Sequence, residues 1–101
     1  MTHGFEKEAF EEYEDAALYY AEHRAGLGDD FVREIEGAIR EIAESPDRFQ
    51  AVGQGLRVYR LKRFPYRLYY RYSEARDHAT IFAVMHERRR PGYWSHRLGG
   101  G

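Results

Sequence analysis

The chain has 101 residues, 43% of them hydrophobic and 33% charged, which is the length of one domain with one core of modest size. It has no cysteine, which leaves no disulfide or thiolate metal site, and no apolar run reaches the length of a membrane-spanning helix. The formal net charge of −1 hides a division, with residues 1–50 balancing at −9 and residues 51–101 at +8, a segregation that points to one surface meeting an acidic partner.

The N-terminus, MTHGFEKEAF, carries no signal-peptide hydrophobic region, so a cytoplasmic protein is expected. A short leading strand over residues 2–5 is weakly signalled. Residues 7–24 place Phe10, Tyr13, Ala17 and Tyr20 at spacings of three and four, which predicts an amphipathic helix with an acidic outer face. Gly26 and Gly28 break the period, and Asp29 or Asp30 is positioned to cap a second helix. That helix, over about 30–44, repeats the pattern with Phe31, Ile35, Ala38, Ile39 and Ile42, and it stops before Pro46. Gly37 is the expected point of close approach between the helices, which the short connection makes antiparallel. Residues 51–55, AVGQG, read as a loop. Three strands follow, at about 56–63, 66–73 and 79–86, with turns at Phe64-Pro65 and around 73–78. A single domain over 1–98 and a flexible tail at 99–101 are expected.

The stretch YRLKRFPYRLYYRY, residues 59–72, sorts by strand alternation. With Phe64 and Pro65 as a two-residue turn, Lys62 lies opposite Arg67 and Arg60 opposite Tyr69, with Arg71 further along the same face. The other face carries Tyr59, Leu61, Leu68, Tyr70 and Tyr72 and packs on the helices. A slip of one residue would bury the cations, at prohibitive cost. Like charges paired across strands are destabilising, so the ladder suits an anionic ligand or an acidic partner. In the plainer alternative the arginines pair with glutamates of the helices. Only Lys7 and Lys62 among the sixteen cations are lysine, which favours bidentate recognition of phosphate or carboxylate.

After the last strand, Arg88, Arg89 and Arg90 cluster, Pro91 turns the chain, and Tyr93 and Trp94 follow. Cations interleaved with aromatics suit phosphate binding with base stacking; the alternative docks Tyr93 and Trp94 into the core. His86 is either a titrating group or a hydrogen bonder at the rim of the core. The five histidines show no ligand spacing, so neither metal nor cofactor is expected.

Three stretches, FEKEAFEEYEDAALYY, YRLKRFPYRLYYRY and IFAVMHERRRPGYW, together resemble the RelE/ParE superfamily of bacterial type II toxins over about residues 5–97. The resemblance implies an α+β fold of order β-α-α-β-β-β, with the helix pair on one face of a small, mostly antiparallel sheet and a first strand at Thr2–Phe5. It implies a cognate antitoxin as partner, in a toxin–antitoxin hetero-oligomer. RelE-like members act with the ribosome to cut messenger RNA without a metal; ParE-like members poison DNA gyrase.

For the RNA-cleaving branch the resemblance places the catalytic set at Arg60, Lys62, Arg67, Arg88 (Arg89 if a gap is allowed) and Tyr93, or Trp94 in its stead. Tyr69, Arg71, Arg89, Trp94 and His86 would contact substrate. Arginine at position 60 replaces the lysine of RelE itself. In such a site Arg60 and Arg67 would steady the crowded phosphate, and by favouring a neutral amine they would suit Lys62 to the role of base. Arg88 would sit near the leaving group, and Tyr93 or Trp94 would stack on the base. The RNA-cleaving branch is strongly basic, and a sequence pI near 6.5 departs from it. The expected activity is therefore a ribosome-dependent endoribonuclease that inhibits translation, with gyrase poisoning or a non-catalytic binding module as the alternatives.

Overall fold

The computed structural model describes residues 1–90 and 92–98, so the expected turn at Pro91 and tail at 99–101 lie outside the described residues. The chain runs β1 (Thr2–Phe5), α1 (Lys7–His23), α2 (Leu27–Glu44), β2 (Gln50–Gly53), β3 (Leu56–Arg60), β4 (Tyr66–Ser73) and β5 (His78–His86), then a 3-10 turn at Ser95–Arg97. The strands form one sheet in the order β1-β5-β4-β3-β2, antiparallel except where β1 runs parallel to β5.

The first helix starts where the Glu6 carboxylate accepts the Ala9 N–H at 3.1 Å, and it ends where Arg24 turns extended. Its buried side chains are Ala9 and Ala16, flanked by Tyr13, Ala17 and Tyr20. Phe10 departs from the expected stripe. It is 44% exposed and packs by its edge on Phe5, about 100° round the helix from the buried Ala9. The second helix buries Phe31, Ile35, Ala38 and Ile42 as its spacing predicts.

The junction between the helices corrects two expectations. Gly26, at φ +82°, is the N-cap, a conformation open to glycine and costly for other residues. Asp29 and Asp30 lie inside the first turn, where their charge favours the helix dipole. The point of close approach is Gly28 and not Gly37. A Cβ on Gly28 would sit 2.8 Å from both Ala17 O and Ala21 Cβ, whereas one on Gly37 would meet only its own helix's Arg40 Nη2 at 3.7 Å.

The edge strand β2, Gln50–Gly53, takes in the first three residues of the stretch 51–55 read as a loop. Gly53, Gln54 and Gly55, all at positive φ, then make the tight return into β3. All four β2 residues are exposed, so no alternation marked them.

The hairpin register also differs from expectation. Arg60 pairs with Arg67, Tyr59 with Leu68 and Val58 with Tyr69. The strand β3 ends at Arg60, and residues 61–65 form a wider loop closed by Leu61 N–H to Tyr66 O at 3.0 Å. The cause is Phe64. It turns inward to 7% exposure against Tyr20 and Phe31, with ring centroids at 4.8 and 5.1 Å, and a two-residue turn could not deliver it there. The shift is an even one, so every side chain keeps its face. Tyr59, Leu61, Leu68, Tyr70 and Tyr72 point to the helices as expected.

The opposite face is not a bare ladder of cations. It carries a second core of Leu56, Val58, Tyr69, Phe82, Ala83 and Met85, roofed by Trp94. A bulge in β5 opposite Tyr69 and Tyr70 admits Phe82 to this cluster.

Candidate functional site

The outer sheet face holds Arg60 and Arg67 as a direct cross-strand pair. Arg60 is exposed at the end of β3, and Arg67 is half-buried with its Nε buried and without a hydrogen-bond partner. Neither guanidinium has a carboxylate within 4 Å among the described residues.

Lys62 lies two residues past this pair, outside the ladder. Its N–H and that of Arg63 both donate to Glu34 Oε2, at 2.8 and 2.9 Å, and its Nζ is 3.9 Å from Glu41 Oε2. Arg63 reaches Asp30 at 3.6 Å. Asp30, Glu34 and Glu41 recur along one stripe of α2, so the acidic helix grips the basic loop at three points. Glu41 also accepts the hydroxyl of Tyr59. Burial, then that hydrogen bond, pushes the Tyr59 phenol well above its ordinary range. Arg60 and Lys62 border a common cleft of about 290 Å³ with Arg48, Phe49, Tyr59 and Glu41. The expected opposition of Lys62 and Arg67 therefore does not form.

The remaining candidates are dispersed. Tyr69 is buried under Trp94, with ring centroids 4.8 Å apart, so both serve the second core. Arg71 donates to Gln54 O at 2.8 Å and lies over the Phe82 ring at 5.3 Å. His86 packs edge-on to Tyr66 at 5.1 Å and accepts the Arg88 N–H on Nδ1 at 3.0 Å, which leaves Nε2 to carry the proton of the neutral ring. It borders a cleft of about 230 Å³ on the helix side, with Glu12, Asp15, Tyr19 and Tyr66. The Arg88 side chain is exposed, with no carboxylate within 4 Å among the described residues.

Tyr93 donates its hydroxyl to Glu12, and Arg89 stacks over its ring at 3.7 Å. Burial, reinforced by Glu12, drives the Tyr93 phenol far above its ordinary range. The residue that organises this end of the molecule is Arg97, which the sequence reading did not single out. Its side chain is 4% exposed, and it donates to Glu12 and to Phe82 O, at 2.8 and 2.9 Å through Nη1. A lone arginine near a chain terminus carries no pattern; the complementary signal was the acidic run Glu6, Glu8, Glu11 and Glu12, at least 85 residues away in sequence.

No cluster of side chains suited to a metal ion occurs among the described residues, and none of their helices is long and apolar enough to cross a membrane. The family described as "ParE toxin of type II toxin-antitoxin system, parDE" matches residues 5–91. No curated protein matches the chain.

Proposed function

The chain belongs to the ParE toxin family of type II toxin–antitoxin systems, and from that premise we propose that it arrests growth by binding and poisoning DNA gyrase, without cleaving RNA. The observation that carries this reading is the position of Lys62. An RNA-cleaving site of the kind the resemblance implies needs a free amine beside the reacting hydroxyl. Here the ammonium faces Glu41, and the backbone that carries it is held by Glu34.

Tyr93 supports the same reading, since its hydroxyl is committed to Glu12 and its proton is held tightly. The exposed Arg60 and Arg88, with Arg67, supply a guanidinium-rich surface suited to a protein partner.

The Arg60–Arg67 pair favours a second reading. Two guanidiniums facing one another without a carboxylate are suited to a phosphate backbone, and RNA could be cut there with the ribosome supplying the geometry.

Purified toxin assayed on gyrase supercoiling, beside mapping of messenger 5′ ends after induction without antitoxin, separates the two. Gyrase poisoning predicts stabilised DNA breaks and no new messenger ends, and Lys62→Ala should remain toxic. New messenger ends lost in the Lys62→Ala, Arg67→Ala double variant would replace it with the RNA reading.

A further inference from the structure

At the end of the outer sheet face furthest from the hairpin loop lies an open cleft of about 610 Å³, formed by the ends of β4 and β5. Its floor is Phe82, with Arg71 laid over the ring at 5.3 Å. Arg76, on the exposed turn between the strands, and His78 form one rim, and Thr80 faces Arg71 directly across the ladder. Arg97, with Glu6 beside it, closes the other rim.

The charges in this cleft are unevenly matched. Arg97 is neutralised by Glu12, with Glu8 at 3.3 Å and Glu6 at 3.8 Å. Arg71 and Arg76 have no carboxylate within 4 Å among the described residues. Arg71 is held in place all the same, by the Gln54 carbonyl and the Phe82 ring, so its guanidinium is preorganised while its charge stays free. A fixed, half-buried guanidinium beside an apolar floor binds a carboxylate well, because little ordering entropy remains to be lost.

We propose that this cleft receives an acidic side chain of the cognate antitoxin, paired with Arg71 and Arg76, while a neighbouring apolar side chain of the same segment covers Phe82. Family membership supplies the partner, and the cleft's charge supplies its chemistry. The proposal does not depend on which cellular target the toxin attacks.

Thr80→Glu is the sharpest test. Because Thr80 pairs with Arg71, the new carboxylate becomes an intramolecular competitor for the site. Titration calorimetry of purified toxin with its cognate antitoxin should show affinity lowered about tenfold to a hundredfold, with circular dichroism unchanged. Arg76→Glu, on an exposed turn where folding is not at risk, should weaken binding similarly. Arg24→Glu, exposed at the end of α1, should not change it. Wild-type affinity in both cleft variants would overturn the proposal. So would binding of a single-stranded DNA or RNA of about 20 nucleotides that the variants abolish while antitoxin affinity stays unchanged, since the cleft would then be a phosphate site. Gyrase assays on the same proteins report independently on the target.

Discussion

Glu12 closes on Arg97 across 85 positions of sequence, with Oε1 to Nη1 at 2.8 Å and Oε2 to Nη2 at 3.2 Å. The pair does more than neutralise charge. Glu12 Oε1 also accepts the Val84 N–H at 3.1 Å, and Arg97 donates to Phe82 O at 2.9 Å. Those are open-edge groups of β5 beyond the end of β1, so two side chains stand in for a missing strand. Glu12→Ala would leave Arg97 under-compensated, the Tyr93 hydroxyl without its acceptor and the Val84 N–H unpaired. It should destabilise by about 3–5 kcal/mol in urea unfolding.

The C-terminal segment hangs on the same pair, and Trp94, the only tryptophan, reports its docking. Arg97→Ala should shift Trp94 emission to the red as the ring leaves Tyr69. Trp94→Ala should cost about 3 kcal/mol in the same unfolding experiment, the low end for a large aromatic because it lies at the border of the second core. Unchanged emission in Arg97→Ala would mean that stacking alone holds the segment.

The two helical glycines should respond in opposite senses. Gly28→Ala forces a methyl against the Ala17 carbonyl and the Ala21 side chain, and should destabilise by about 1–3 kcal/mol. Gly37→Ala meets only the flexible end of Arg40 and should stabilise by up to about 1 kcal/mol through helix propensity. Thermal melts of the two variants check both signs.

Alkaline pH should unfold the protein earlier than its arginine-rich composition suggests. Burial pushes the phenols of Tyr66 and Tyr70 up to about 12. A folded-state value above the unfolded one near 10 stabilises fully below pH 10 and is lost as pH rises through 12. Roughly 1–3 kcal/mol should disappear over that interval for Tyr70, whose ring is wholly buried and whose hydroxyl donates to Pro46 O at 2.6 Å. Tyr70→Phe should flatten the decline measured by urea unfolding between pH 9 and 12.

The amino-acid sequence by itself determined the helix pair, the three meander strands and the face to which each hairpin side chain points. Those features rest on periods of 3.6 and 2 that neighbouring residues carry, and on a burial penalty for cations that makes the wrong face untenable. Tertiary packing decided the rest. The space beside Tyr20 and Phe31 drew Phe64 inward, and that widened the turn, set Arg60 against Arg67 and handed Lys62 to Glu34 and Glu41. Burial of Arg97 needed the carboxylates of α1 and the open edge of β5 in one place, and β2 needed the edge of β3 to pair with. Local pattern records what a segment prefers. Which of several competing aromatics and cations is taken inside depends on partners brought from tens of residues away, and those partners meet only in the folded chain.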